Sequence, residues 1–271
     1  MAISVHGGGF PDKLERLVGI LGVPFHQVTL SGAVERIEYM IAEGGVHFIV
    51  TPNVDFLVKA QRDADLRRIL VNADLVLCDG KPIVWASRWL GGPLPCRVSG
   101  SDLTPLLIKR AAERGWKIFI LGGKPEVAAE AARRMNEGHP NLPRVDHYSP
   151  PHRPLDQMDN DEIQKRVREA KPDILLVCFG CPKQEKWIWK HSSGTGVPVV
   201  IGAGATVDFL ANKVARAPRW VCAIGMEWLF RLVQEPRRLF GRYLDDAIHF
   251  FPAVLRHVWR QKRMERRRQK P

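Results

Sequence analysis

The sequence predicts an α/β fold: an open, mostly parallel sheet with a helical appendage at the C-terminal end. Three observations lead there. Short apolar, β-branched runs recur between His47 and Thr206. Each is followed by a helix-like stretch and not by another strand. From about Ala217 that punctuation stops and a basic, helical pattern takes over.

The runs come in order. HFIVTPN (His47–Asn53) leads into VDFLVKAQRDADLRRIL. DLVLCDG (Asp74–Gly80) leads into PIVWASRWL, and KIFILGG (Lys117–Gly123) into KPEVAAEAARRMNEG. DILLVCFG (Asp173–Gly180) leads into CPKQEKWIWKH, and PVVIGAGAT (Pro198–Thr206) into VDFLANK. Apolar runs this short read as strands buried on both faces and joined by crossover helices, a Rossmann-like arrangement. Two loops are long. Pro151–Glu162 is rich in Pro, Asp and Asn, and connects strand material near Val145 to the helix EIQKRVREA. Leu90–Asp102 is rich in Gly, Pro and Ser, and Ser101 or Asp102 is placed to cap the helix LTPLLIKRAAE. The expected organisation is an α/β domain over 1–215 and a helical basic appendage over 216–271.

The appendage reads as two or three helices. Leu244, Ile248, Phe251, Leu255 and Val258 share one side at helical spacing; Tyr243, Ala247, Phe250, Val254 and Trp259 widen that surface. Such a stripe packs against the body, or it lies on an anionic bilayer, because it runs into RQKRMERRRQK.

Composition narrows the classes. The 271 residues are 45% hydrophobic, enough for a sizeable core, and the formal net charge is +12. Arg231–Pro271 holds twelve Arg or Lys and four acids, so most of the excess sits there. The five cysteines are an odd set for a disulfide scaffold. MAISVHGGGFPDK lacks the pattern of an export signal, and no apolar run is long enough to span a bilayer. These point to a cytoplasmic location with reduced thiols.

Ligands of open parallel sheets sit outside the carboxyl ends of the strands. This chain puts Thr51, Asn53, Asp79, Gly122, Gly123, Lys183, Gln184, Glu185 and Gly204 there. Asp79 has two readings: a cap for the helix that starts near Pro82, or a general base at the sheet edge. The Gly122–Gly123 turn can present N–H groups to phosphate, but neither it nor Gly202 and Gly204 in IGAGATV has dinucleotide spacing, and Walker A is missing. Cys178 and Cys181 have no second pair, so zinc is poorly supported and packing is the better reading. Arg231, Arg237, Arg238 and Arg242 lie near Glu227 and Glu235; they form either a solvated ion-pair face or a diphosphate site.

TPNVDFLVKAQRD, ADLVLCDGKPIVW, RVSGSDL, FILGGKPEVAAEAA, PDILLVCFGCPKQEKWI, IGAGATVDFLANKVARAP and EWLFRLVQEPRRLFGRYL, in order from Thr51 to Leu244, resemble the bacterial WecG/TagA/CpsF glycosyltransferases. The resemblance implies an inverting transfer from a UDP-sugar, such as UDP-N-acetylmannosamine or a related hexose, to a polyprenyl-diphosphate-linked saccharide in cell-surface polysaccharide synthesis. It implies Asp79 as catalytic base, Arg97 and Gln184 as further active-site groups, and Thr51 and Asn53 as substrate ligands. It also implies an appendage that completes the site and meets the inner face of the membrane. No metal or cofactor is expected, since the UDP-sugar is a substrate, and self-association stays open. Cys78 stands where many relatives have proline, and Asn212 where many have glycine. The alternatives are another nucleotide-dependent α/β enzyme, or a nucleic-acid-binding module using the tail. The tail has neither aromatic interleaving nor a base-reading motif, so a nucleic-acid partner is not expected.

Overall fold

The chain first forms a hairpin that the run-and-helix pattern does not reveal. The computed structural model describes residues 16–214, 217–218, 221–222 and 225–268, except for the side chains of Arg238 and 265–268. The N-terminal MAISVHGGGFPDK, the junction at 215–216 and the last basic residues therefore lie outside the described residues. Leu17–Ile20 (β1) pairs antiparallel with Val23–His26 (β2), and Ile20 faces Val23. Leu21 and Gly22 make the two-residue turn at φ 51° and 84°, the left-handed pair that suits strand twist. Leu30–Glu43 (α1) follows, capped by Thr29, whose hydroxyl accepts the Gly32 N–H at 3.1 Å.

Six strands form the main sheet: His47–Val50 (β3), Leu75–Val76 (β4), Ile118–Gly122 (β5), Asp146–Tyr148 (β6), Ile174–Cys178 (β7) and Val199–Gly202 (β8). Their order is β4-β3-β8-β7-β5-β6, and every pairing is parallel. The expected α/β class with a mostly parallel sheet is what the chain adopts. Side-chain alternation splits the core into two layers. Val50, Phe119, Leu121, Leu175, Val177 and Val200 face one side, which is covered by Val54–Arg62 (α2), Ala64–Val71 (α3), Lys81–Trp89 (α4), Asn160–Ala170 (α7) and Lys183–His191 (α8). Ile49, Ile118, Ile120, Ile174, Leu176 and Ile201 face the other, under α1, Gly100–Arg114 (α5), Pro125–Gly138 (α6) and Thr206–Leu210 (α9). β5 and β7 are neighbours whose following helices leave to opposite faces, so the sheet opens a crevice at their carboxyl ends.

One cap differs from expectation. α5 begins at Gly100, so its cap is Ser99 and neither Ser101 nor Asp102. The Ser99 hydroxyl accepts the Asp102 N–H at 3.1 Å and donates to the Asp102 carboxylate at 2.7 Å. Asp102 is thereby an acid in the first turn, where the helix dipole favours it.

The appendage contains Glu227–Gln234 (α10) and the long helix Pro236–Arg268 (α11). α11 lies against α2 and is tied to the body at two places. Arg62 grips Asp245 with both terminal nitrogens at 3.1 Å, and the Gln261 amide donates to the Leu90 carbonyl at 3.2 Å. Pro252 sits between the two ties. The apolar stripe of the sequence divides here. Phe250 and Val254 are fully buried, whereas Leu244, Ile248, Leu255 and Trp259 are 51–62% exposed. Among the described residues, no helix is long and apolar enough to cross a membrane.

Candidate active site

Asp79 is held in place by its backbone. Leu77 and Asp79 donate N–H groups to the Val50 and Pro52 carbonyls at 2.9 and 3.0 Å, extending the β3–β4 ladder past its assigned end. On the other flank, the Val98 N–H reaches the Cys78 carbonyl at 2.7 Å. Gly80 then turns the chain at φ 149°, which side chains other than glycine's strongly resist, and serves as the cap residue of α4 without any side-chain bond. Asp79 is therefore not the cap of that helix. It is a half-buried edge carboxylate lining a cavity of about 410 Å³.

The body and the appendage each supply one wall. From the body come Asn53, Asp55, Asp79, Lys81, Trp85 and Arg97. From the appendage come Glu227, Trp228 and Arg231 of α10, with Arg242, Tyr243 and Asp246 of α11. Ala247, Phe250 and Phe251 close the apolar end. Trp228 and Tyr243 meet edge to face at 6.1 Å, locking α10 to α11 at the cavity wall.

The charges are layered. Arg97 reaches Asp102 at 2.6 Å and pairs with Glu227 across the body–appendage junction. Glu227 is also 3.5 Å from Arg231, whose guanidinium stacks 4.6 Å above the Phe209 ring. Burial pushes the Asp79 carboxyl up to about 6; Arg97 and Arg231 pull it down and Glu227 adds to the rise. Burial would also raise Glu227, but Arg97 and Arg231 outweigh it and hold that carboxyl below its ordinary value. The result is a carboxylate ionised at neutral pH yet basic enough to take a proton, next to cations suited to an anionic group.

The other predicted residues fall in three places. Asn53 lines the cavity and caps α2, its Oδ1 accepting the Phe56 N–H at 3.2 Å. Thr51 is buried and does not line the cavity; a side chain on Gly100 would meet the Thr206 hydroxyl at 3.0 Å, with Thr51 in ordinary contact at 3.7 Å. Gln184 and Glu185 are buried away from the cavity. The Gln184 Oε1 accepts N–H groups from Gly180 and Gly204, both at 3.1 Å, so it staples the ends of β7 and β8 together. Its amide donates to Glu185 at 2.6 Å, and burial pushes Glu185 up to about 7. Gly122 and Gly123 stand at the β5–β7 crevice; a side chain on Gly122 would meet the Phe179 ring at 2.7 Å. Lys183 donates to the Arg153 carbonyl at 2.5 Å and also lies off the cavity. Arg237 is exposed and is not among the lining residues. The Arg238 side chain lies outside the described residues.

Sequence reasoning named Glu227 only as a neighbour of the Arg231–Arg242 cluster, read as a solvated ion-pair face or a diphosphate site, and did not single out Asp55 or Asp246, both buried. The signals for Glu227 were its place one helical turn before Arg231 and at the start of EWLFRLVQEPRRLFGRYL. Among the described residues, no group of three or more His, Cys, Asp or Glu side chains converges to hold a metal ion.

The model of the glycosyl transferase WecG/TagA/CpsF family matches residues 18–264. Two curated relatives, from Staphylococcus aureus strains MW2 and MRSA252, carry the name N-acetylglucosaminyldiphosphoundecaprenol N-acetyl-beta-D-mannosaminyltransferase. Each is 30% identical over 236 residues, covering 86% of this chain and 91% of its own.

Proposed function

Because the chain belongs to the WecG/TagA/CpsF glycosyltransferase family, we propose that it moves a sugar from a UDP-sugar onto a polyprenyl-diphosphate-linked saccharide, inverting the anomeric centre. The observation that carries this reading is Asp79, an edge carboxylate with a pKa raised to about 6, facing a cavity that also holds Arg97, Arg231 and Arg242. The relatives' names support an amino-hexose donor such as UDP-N-acetylmannosamine, and cell-surface polysaccharide as the product class.

The displacement balances simply. The acceptor oxygen forms a bond to the anomeric carbon while its proton passes to Asp79. The bond from that carbon to the diphosphate breaks, and UDP leaves from the opposite face. Charge grows on the diphosphate during the step, so cations that hold it more tightly in the transition state accelerate the reaction. Arg97 is largely committed to Asp102 and Glu227. Arg231 and Arg242 are the better candidates for the diphosphate; the Arg242 Nε is buried with no hydrogen-bond partner. Asn53 reaches the cavity directly, while Thr51 and Gln184 act by positioning the strand ends.

The exposed face of α11 extends the same reading to the membrane. Leu244, Ile248, Leu255 and Trp259 form an apolar band that runs into Arg260, Lys262 and Arg263, which suits an anionic lipid surface. That contact would bring a lipid-borne acceptor to the cavity.

The test is Asp79→Asn assayed with UDP-N-acetylmannosamine, other UDP-sugars and a short-chain lipid diphosphate disaccharide precursor, with product mass and anomeric configuration measured. Transfer by the wild type with inversion, and a loss of roughly 10²–10⁴-fold in the variant with UDP binding kept, is the expected outcome. Comparable turnover by the variant removes Asp79 as the base.

A further inference from the structure

We propose that Asp246 is a positioning residue that seats α11 on α2 through a carboxyl pair with Asp55, and that the seat is tightest while this pair carries a proton. The two acids belong to different segments, Asp55 on α2 and Asp246 on α11, and both are buried at the seam between these helices, 9% and 7% exposed. Asp246 Oδ1 is sealed from solvent and has no hydrogen-bond partner. A buried carboxylate oxygen without a donor is unfavourable; a carboxyl O–H shared with a neighbouring carboxylate removes that defect.

The surrounding charges do not supply the missing donor. On α2, Lys59 is committed to Asp55 at 2.7 Å and also donates to the Cys181 carbonyl at 3.4 Å. On α11, Asp245 is a second like charge, held by Arg62, and Arg242 is the second cation. Burial and then Asp55 push Asp246 up to about 7, against Arg242 and Lys59. The unpartnered oxygen and the like charges around it single out the same group.

What the seat positions is plain from the helix. Arg242, Tyr243, Ala247 and Phe250 flank Asp246 on α11 and line the cavity, so the fit of α11 on α2 sets where they stand. The inference stands apart from the transferase reading, because it concerns how the cavity is assembled and its test uses no substrate.

The sign follows from linkage. Off the body, Asp246 titrates near its ordinary 3.8; seated, it titrates at about 7. Seating therefore takes up a proton and weakens about tenfold for each pH unit between those values, then levels off above the upper one.

The test is hydrogen exchange on the full-length protein from pH 5 to 8, each rate divided by the intrinsic chemical rate at that pH. In the wild type, protection of the α11 amides around Asp246 is expected to fall about tenfold from pH 5 to 6 and to level off by pH 8. Asp246→Asn removes the titrating group and should flatten the profile to within twofold. Asp55→Asn removes the partner's charge, which helps hold the Asp246 carboxyl up, and should make the fall level off at lower pH; this variant decides the matter if Asp246→Asn does not fold. A flat wild-type profile overturns the proposal, and so does the wild-type slope surviving in both variants. A fall of the α11 amides that matches the β7 amides and that Asp246→Asn leaves unchanged also overturns it, since the effect would then belong to the whole fold.

Discussion

Asp79→Asn should make the protein more stable at neutral pH. In the native state Asp79 titrates at about 6, against an ordinary 3.8, because burial disfavours its charged form. An acid raised by folding binds its proton more tightly in the native state, so stability declines as pH climbs from 3.8 through 6 and the full penalty is present above that. A shift of this size converts to about 3 kcal/mol. Asp79 keeps a solvent window onto the cavity, which softens the penalty, so about 1–3 kcal/mol is the working range. The neutral amide removes it. In a chain of this length each kcal/mol moves Tm by roughly 2–4 °C, giving a gain of roughly 2–12 °C for Asp79→Asn at pH 7.5. The gain should shrink toward nothing near pH 3, where the wild-type carboxyl is largely protonated in both states. Thermal melts of the two proteins across that range read it directly. A variant less stable at pH 7.5, or one whose full advantage persists at pH 3, refutes the assignment of Asp79 as a carboxyl raised by burial.

Two further outcomes follow from the same structure. Gly122→Ala places a Cβ at φ 98° and 2.7 Å from the Phe179 ring, so about 2–5 kcal/mol of stability should be lost in a denaturant titration; a change below about 1 kcal/mol would show that the β5–β7 crevice is looser than described. Replacing Leu244, Ile248, Leu255 and Trp259 together by Gln leaves the buried Phe250 and Val254 untouched, and should cut co-flotation with anionic vesicles by more than tenfold; equal flotation removes this face as the membrane contact.

Much of the body was legible because local pattern sets it. Each apolar run that ends in Gly or Asp lies at a strand's carboxyl end, since burial on both faces leaves an unbroken apolar string. The β1–β2 hairpin escaped notice because its only local mark is the turn at Leu21 and Gly22, and its strands are four residues long. The site was legible in half. Asp79 is where the reading put it, but its competing role as a cap was removed only by Gly80's backbone angle. Glu227, Asp55 and Asp246 were invisible as site residues because their burial depends on where α10 and α11 dock, and no periodicity within a helix encodes the surface it lands on. The apolar stripe of α11 shows the same limit. Helical spacing gives its width, and only the docked position separates Phe250 and Val254 from the band that stays in solvent.

Pro252 gives the long helix a mechanical character. The ties at Asp245 and Gln261 are separated by about 24 Å of helix, so α11 acts as a beam fixed at both ends. Proline has no N–H to give the carbonyl one turn earlier, and the beam is softest at that point. A load on the basic end is met first by the Gln261 tie, and any bend of the helix falls at Pro252. The cavity-lining turns from Arg242 to Phe251 lie on the sheltered side of that joint, and so a tug from the far end reaches them last.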